Sequence, residues 1–251
     1  MTRIFDAWKK SDASPNASVP GHGVPVPTGR ASEIARDSLP LLGALPIGED
    51  VLREMSALRV TLESTLGDRS PRVAMFLGPQ GGEGTSTIAL QFAQVLARDV
   101  MLRPLLVDCH ARRPAYTVDE SRRCAIVSPA ILSWASDEGS VVTANLFVVP
   151  VSDAHRAAGI IQPAALRETI DVNSPGFDWV VLDGPPVLEA PDAAALGAVA
   201  DGAVLVIQVG HTRRPVLNRA ADLLTKAGAR VLGSVLNRRV LEIPEFIYRR
   251  I

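Results

Sequence analysis

Hydrophobic and polar positions divide the chain into a polar, proline-rich N-terminal stretch and a longer region in which two patterns alternate. From Glu49 onward, continuous runs of Val, Leu and Ile are separated by segments whose apolar residues recur at helical spacing. Runs that lack polar alternation are typical of strands in a parallel sheet that is covered on both faces. The alternation therefore predicts a doubly wound α/β fold, with a mostly parallel sheet and helices on both of its faces.

Eleven elements are predicted in this region. Helices are expected at residues 49–64, 86–98, 163–172, 191–199 and 215–227. Strands are expected at residues 72–77, 104–108, 146–151, 179–183, 202–209 and 230–236. Because ligands of open parallel sheets bind beyond the carboxyl ends of the strands, the residues that follow these strands are the candidates for binding.

The N-terminal stretch predicts a flexible tail. Residues 11–48 are rich in Ser, Pro, Gly and Ala, and such a composition buries too little apolar surface to offset the entropy of ordering it. Within residues 1–10, four apolar side chains share one helical face, which favours a short amphipathic docking helix. They are Met1, Ile4, Phe5 and Trp8. A frayed terminus is the equal alternative, because so short a helix is marginal alone. The remaining boundaries are a domain over residues 49–240 and a C-terminal tail over residues 241–251.

Composition narrows the class of protein. The chain is 47% hydrophobic and 21% charged, which excludes wholesale disorder, and its net charge of −1 argues against broad binding to nucleic acid. Two cysteines, Cys109 and Cys124, form no disulfide framework. No apolar run approaches a membrane span or a signal peptide, so we expect a cytoplasmic protein. Cysteines and histidines show no zinc-binding spacing.

A glycine-rich turn follows the first predicted strand and opens the next predicted helix. In this context, backbone N–H groups converge on one concavity, and the helix N-terminus adds its positive dipole end. The turn therefore predicts a phosphate-binding loop, in which Ser86 is placed to ligate Mg²⁺. Its expected binding residues are Gly81, Gly82, Glu83, Gly84, Thr85, Ser86 and Thr87. The usual pattern has lysine where this chain has Thr85.

Two aspartates end later strands of the predicted sheet. Asp108 ends the run Leu-Leu-Val-Asp, and Asp183 ends the run Val-Val-Leu-Asp. Parallel strands present their carboxyl ends at one edge, so both carboxylates are expected beside the loop, where they would hold Mg²⁺ with Ser86.

Four ordered motifs resemble the cytoplasmic P-loop domain of bacterial tyrosine kinases that act with polysaccharide co-polymerases, within the MinD/ParA-like ATPases. Residues 81–87 are similar to the family's P-G-E-G-K-S-T, and residues 108–114 to its D-x-D-x-R-R-P. Residues 183–186 are similar to D-[ST]-P-P, and residues 233–237 to G-V-V-L-N. The resemblance covers roughly residues 49–239 and implies a P-loop NTPase-like fold.

The resemblance also implies ligands, partners and roles. It implies ATP or ADP with Mg²⁺, with Asn237 near the adenine and Asp108 and Asp183 as catalytic residues. The family's C-terminal tyrosine cluster is reduced in this chain to Tyr248, which is the implied phosphoacceptor. It further implies self-association and a membrane polysaccharide co-polymerase of the Wzz type as partner. The location would then be peripheral, on the inner face of the cell membrane.

The departures from the family pattern fall on the chemistry. Thr85 replaces the phosphate-binding lysine, Gln80 stands where MinD-like relatives carry a second lysine, and His110 replaces the second acid of D-x-D. Only Arg59 remains of the charged positions in the oligomerisation segment E-x-x-R-x-x-R. A lost charge-assisted hydrogen bond of about 1.5–3 kcal/mol weakens binding roughly 10- to 150-fold. A lost cation at the transferring phosphoryl group costs on the order of 10³–10⁵ in rate. Arg112, Arg113 or an arginine supplied by a partner would compensate, with Arg112 as the named candidate.

Three functions are compatible with these residues. The first is a catalytically degenerate pseudokinase that regulates exopolysaccharide or capsule biosynthesis and export, with weak or lost ATP binding. The second is an active ATP-dependent tyrosine autokinase of the same system, in which an arginine replaces the lysine. The third is a MinD/ParA-like positioning ATPase. Thr85 and the sparse tyrosines favour the first.

Overall fold

The computed structural model of the 251-residue chain describes residues 3–5, 39–42, 47–111, 115–119, 124–127, 146–150 and 159–238. Its helices are α1 (Glu49–Leu66), α2 (Thr85–Ala97), α3 (Pro163–Asn173), α4 (Ala193–Gly197) and α5 (Arg214–Lys226). Its strands are β1 (Arg3–Phe5), β2 (Leu39–Leu42), β3 (Arg72–Leu77), β4 (Pro104–Asp108), β5 (Tyr116–Asp119), β6 (Cys124–Val127), β7 (Phe147–Pro150), β8 (Trp179–Asp183), β9 (Gly202–Gln208) and β10 (Val231–Asn237).

Six neighbouring strands pair in parallel, in the order β10-β9-β3-β8-β4-β7. All six are strands that the sequence predicts, and three of them, β3, β4 and β8, have the predicted bounds. The predicted fold class, an α/β sheet that is mostly parallel, is confirmed.

The sheet is covered on both faces, as a doubly wound fold requires. Successive residues of β3 alternate between two cores, because side chains of a strand point to opposite faces. Phe76 lies in the core beneath α1 and α2, whereas Met75 lies in the core beneath α3, α4 and α5. In the first core, the ring of Phe92 packs edge-on against Trp179, with the ring centroids 5.6 Å apart. This contact fixes α2, which begins at the candidate phosphate-binding loop, against the centre of the sheet.

The structure corrects the prediction for the first ten residues. Arg3–Phe5 is a strand that pairs antiparallel with β10 at the edge of the sheet, so a helix is wrong for these residues. A helix of about ten residues has little stability of its own, whereas an edge strand offers a row of unpaired backbone groups that pairing satisfies.

Three further strands were not predicted. β2 lies inside the stretch 11–48, where the sequence predicts a tether, and it pairs antiparallel with β7 and parallel with β6. β5 and β6 form an antiparallel pair at the far edge. Residues 11–38 and 43–46 of the predicted tether, and the C-terminal tail from residue 241, lie outside the described residues.

The helix α1 carries the remnant of the predicted oligomerisation segment. The guanidinium of Arg59 donates to Glu63 at 2.8 Å and to Asp99 at 3.1 Å, so it is used within the protomer. Within the part of the chain that the structure describes, no helix combines the length and apolar character needed to cross a bilayer.

Candidate functional site

The candidate phosphate-binding loop connects β3 to α2, as predicted. Gly82 and Gly84 have φ values of +86° and +85°, a left-handed conformation that glycine adopts without strain. Gly84 is the N-cap of α2, and its carbonyl accepts the first helical hydrogen bond from Ile88 at 3.0 Å. The tight turn therefore aims the N-terminal end of α2 at the carboxyl edge of the sheet.

The end of β10 holds this turn in place. The amide nitrogen of Asn237 donates to the carbonyl of Glu83 at 2.8 Å. A Cβ added to Gly84 would collide with that same amide nitrogen. The structure thus brings Asn237 to the loop, where its side chain supports the loop backbone.

Glu83 points into the protein and does not line the cavity at the loop. The residue is 1% exposed, and Oε1 accepts a hydrogen bond from the Thr212 hydroxyl at 2.6 Å. Burial raises the pKa of the Glu83 carboxyl, and it outweighs the hydrogen bonds from Thr212 and the Gln80 backbone, which lower that pKa. The side chain therefore acts as an internal brace between the loop and the segment after β9.

A second loop lies directly against the first. After β8, the N–H of Val187 donates to the carbonyl of Gly78 at 2.9 Å, and the N–H of Leu188 to that of Pro79 at 3.1 Å. These bonds place the next side chain, Glu189, over the phosphate-binding loop. Its Oε1 accepts a hydrogen bond from the N–H of Gly81 at 2.7 Å. A carboxylate of the chain therefore takes a backbone donor that the loop would offer to a phosphate.

Asp108 and Asp183 lie side by side, as their places at strand ends predict. They are register partners of the parallel pair β4–β8, and both are fully buried. Asp108 accepts the backbone N–H of His110 at 2.9 Å and that of Ala115 at 2.8 Å. His110 Nδ1 lies 3.0 Å from Asp108 Oδ1 and 3.7 Å from Asp183 Oδ2. The imidazole is thus inserted at the mouth of the aspartate pair.

Burial and these charges shift two pKa values. Burial, reinforced by the charge of Asp108, raises the pKa of Asp183 to about 7, although His110 and the neighbouring Ser86 hydroxyl lower it. For His110, burial lowers the pKa, but the charge of Asp183 and the hydrogen bond to Asp108 outweigh it and raise the pKa to about 9. Near neutral pH, His110 is therefore an imidazolium that neutralises part of the aspartate charge.

A cavity of about 200 Å³ lies above these groups. Loop residues 80–82 and 84–87 line it together with His110, Gly184, Pro186 and Arg238. Among the described residues, Arg238 is the one arginine or lysine in the lining, and Thr85 stands at the lysine position. Sites for small molecules usually measure about 300–1,000 Å³. With Glu189 on the Gly81 amide and Thr85 at the lysine position, the described loop has one backbone donor engaged and carries no cation of its own.

Most of the predicted site residues meet in one place. Gly81, Gly82, Gly84, Thr85, Ser86 and Thr87 line the cavity, while Asp108 and Asp183 adjoin it through His110. Arg112 and Tyr248 lie outside the described residues. Sequence reasoning missed Glu189, Thr212 and Arg238. The position of Glu189, six residues after Asp183 in the loop that follows β8, is the signal that could have pointed to it.

Comparisons with known proteins find bacterial tyrosine-protein kinases among the chain's relatives. No family model matches the chain. It is 29% identical over 189 residues to the tyrosine-protein kinase YwqD of Bacillus subtilis, covering 73% of this chain and 79% of that kinase. It is 26% identical over 222 residues to the succinoglycan biosynthesis transport protein ExoP of Rhizobium meliloti, covering 83% of this chain but 28% of ExoP. The kinase domain of the Escherichia coli tyrosine kinase ETK has the same fold, with a TM-score of 0.55 at 18% identity over 77% of this chain and 79% of that chain.

Proposed function

We propose that this chain is a catalytically degenerate member of an exopolysaccharide or capsule system. The proposal starts from its homology to the bacterial tyrosine-protein kinases, which confirms the predicted resemblance. In this proposal, it binds ATP weakly or not at all. It works as a regulatory partner of a membrane polysaccharide co-polymerase, on the inner face of the cell membrane.

The hydrogen bond between Gly81 and Glu189 carries the proposal. Phosphate-binding loops work because several backbone N–H groups and a lysine meet one anion. Here, the N–H of Gly81 is already satisfied by a carboxylate at 2.7 Å. A bound phosphate would have to displace this carboxylate or lie beside it. Two unit charges 4 Å apart repel by about 1 kcal/mol in water and about 4 kcal/mol near a protein surface.

The missing lysine acts in the same direction. Thr85 has a short neutral side chain, whose Oγ1 would lie 2.7 Å from a Cβ on Gly78, so it stays close to the loop backbone. It supplies no cation to a transferring phosphoryl group, a contribution worth on the order of 10³–10⁵ in rate. Arg238 lines the cavity, but one of its guanidinium nitrogens contacts Gln208 at 3.3 Å.

His110 weakens the case for Mg²⁺ chemistry. The imidazolium already neutralises part of the charge of Asp108 and Asp183, and an Mg²⁺ ion would have to take its place. Mg²⁺ prefers oxygen ligands in octahedral geometry, which an imidazole nitrogen does not supply. Together with Thr85 and Glu189, this residue supports a retained fold without efficient phosphoryl transfer.

The similarity to ExoP supports the proposed location, beside a membrane protein of a polysaccharide system. The matched region is 28% of that transport protein, so this chain resembles one part of that longer protein. In this proposal, the retained fold docks on a membrane protein of the same system and regulates it without catalysis.

The proposal is tested by incubating the purified chain with Mg·ATP and probing it for phosphotyrosine, with an active bacterial tyrosine kinase as the positive control. We expect no phosphotyrosine on this chain. A signal that is lost in Asp108→Ala would overturn the proposal in favour of an active autokinase.

A further inference from the structure

We propose that Asp108, His110 and Asp183 form a binding site for a divalent transition-metal ion, which binds without nucleotide and in preference to Mg²⁺. The inference goes beyond the proposed function, because it assigns a new ligand to the position where the related motif carries a second acid. The site would bind its metal ion with no nucleotide in the cavity.

The spacing of the three side chains suits a metal ion. Nδ1 of His110 lies 3.0 Å from Asp108 Oδ1 and 3.7 Å from Asp183 Oδ2, and the ligand atoms of all three residues lie within 4.8 Å of one another. Two ligands held about 2.1 Å from one ion, at angles of about 90° to 120°, are roughly 3.0–3.6 Å apart. The His110–Asp108 separation lies in this range and the His110–Asp183 separation just above it, so the side chains would have to move inward to complete the site.

Asp183 supplies an independent observation. It is 0% exposed, and its polar neighbours are the Ser86 hydroxyl and the His110 imidazole, neither of which meets strict hydrogen-bond geometry with its oxygens. A buried carboxylate without a partner of that geometry is costly, so it calls for a cation or a metal ion. His110 Nδ1, at 3.7 Å, is too distant to provide a hydrogen bond.

The supporting shell is already in place around Asp108. Two backbone N–H groups, of His110 and Ala115, donate to its two carboxylate oxygens. Hydrogen-bonded carboxylates of this kind orient metal ligands in known sites. His110 lines the cavity at the loop, which gives an ion a path from solvent to the aspartate pair.

The donor set decides which metal is preferred. One imidazole nitrogen with two carboxylates suits ions such as Mn²⁺, Co²⁺ and Zn²⁺, whereas Mg²⁺ prefers oxygen alone. Binding would release the proton from Nδ1, as metal binding to histidine generally does. The neighbouring Cys109 is not a ligand, since its thiol points into the core beneath α3, α4 and α5, where it lies 3.8 Å from the Val107 carbonyl.

Co²⁺ is the probe that tests the site, because its visible absorption reports the number and kind of its ligands. The full chain, freed of metal and nucleotide, is titrated with Co²⁺ and followed by absorption and calorimetry. We expect one Co²⁺ per chain, with ligand-field bands that a 100-fold excess of Mg²⁺ does not remove. If the parent chain fails to bind one equivalent of Co²⁺, or if Mg²⁺ displaces Co²⁺ at equal concentration, the inference is overturned.

Three variants identify the ligands. His110→Asp restores an all-oxygen donor set, and Asp183→Asn removes one carboxylate; both are expected to lose the Co²⁺ bands. His211→Ala changes an exposed histidine elsewhere in the described chain, and it is expected to leave them unchanged. Circular dichroism checks that each variant is folded. Folded His110→Asp and Asp183→Asn proteins that bind Co²⁺ like the parent would contradict the site. The experiment contains no ATP, so its failure is separate from failure of the proposed function.

Discussion

The carboxylate of Glu189 accepts a hydrogen bond from the backbone N–H of Gly81 at 2.7 Å, at the centre of the phosphate-binding loop. The bond is a consequence of how two loops meet. The backbone N–H groups of Val187 and Leu188 donate to the carbonyls of Gly78 and Pro79. This pairing places the side chain of the next residue, Glu189, directly beside the loop. The loop thus keeps its fold while one of its donors is engaged by the protein itself.

Removal of the Glu189 charge should strengthen anion binding. Glu189→Gln keeps the size of the side chain and removes the negative charge, and we expect Mg·ATP to bind about fivefold more tightly. This corresponds to about 1 kcal/mol, since Glu189 is exposed and solvent screens its charge. Affinity is measured by fluorescence with a labelled ATP analogue.

Glu168→Gln is the matched control, because Glu168 is also exposed but lies on α3. It should leave the affinity unchanged. An affinity for Glu189→Gln equal to or weaker than that of the parent chain would show that this carboxylate does not block the loop.

The contact between Gly84 and Asn237 predicts a position-specific loss of stability. Gly84→Ala places a methyl group against the Asn237 amide, whereas Gly228→Ala meets nothing within 4 Å. Both glycines have a φ of +85°, so the strain of a left-handed alanine, about 1–2 kcal/mol, is common to both. We expect Gly84→Ala to lower the free energy of unfolding by about 1–3 kcal/mol more than Gly228→Ala does, in urea denaturation.

Asn237→Ala separates the collision from the strain. In that background, Gly84→Ala should cost about as much as Gly228→Ala, because the clashing amide is gone. Equal losses from the two glycine substitutions in the parent chain would argue against the contact.

The hydrogen bond from Thr212 to Glu83 should matter for stability. Thr212→Val keeps the shape and removes the hydroxyl, which leaves a buried carboxylate with one hydrogen bond fewer. We expect a loss of about 1–3 kcal/mol in the free energy of unfolding. Thr212→Ser, which restores a hydroxyl, should recover most of it. An unchanged midpoint for Thr212→Val would show that Glu83 does not depend on this donor.

His110 predicts a fall in stability with rising pH. The folded protein holds the His110 proton with a pKa of about 9, above the ordinary value of 6.5, because of Asp183 and Asp108. The stabilisation is therefore full below about pH 6.5 and is lost as pH rises towards 9, with a size of roughly 3 kcal/mol. Asp183, whose pKa is raised to about 7, adds a fall at lower pH, between about 4 and 7.

Urea denaturation with EDTA present, between pH 6 and 9.5, measures this dependence. His110→Asn should remove the histidine's part of the fall and leave the single titration of Asp183, whereas His211→Ala should follow the parent chain. Parallel profiles for His110→Asn and the parent would show that the histidine proton is not held by the aspartate pair.

The sequence predicts those parts of the molecule that local patterns determine. The strands Arg72–Leu77, Pro104–Asp108 and Trp179–Asp183 have their predicted bounds, because each is an apolar run closed by polar or glycine residues. Asp108 and Asp183 meet as predicted, since parallel pairing fixes which residues share an edge.

Features that depend on distant partners could not be predicted. The place of Glu189 shortly after Asp183 puts it near the carboxyl edge of the sheet, but nothing in its local pattern shows that its loop pairs with residues 78 and 79. The strand Arg3–Phe5 pairs with β10, more than 200 positions away, while its own apolar spacing favours a helix. For His110, the sequence shows a replaced acid, but the position of its Nδ1 beside two carboxylates depends on the register of β4 against β8.

The most direct test of a degenerate nucleotide site is calorimetric titration of Mg·ATP into the purified chain, with Thr85→Lys titrated in parallel. We expect the parent chain to bind Mg·ATP weakly or undetectably. We expect Thr85→Lys to bind it roughly 10- to 150-fold more tightly, since the folded loop would regain its cation. Tight binding by the parent chain that Thr85→Lys does not improve would contradict a degenerate site.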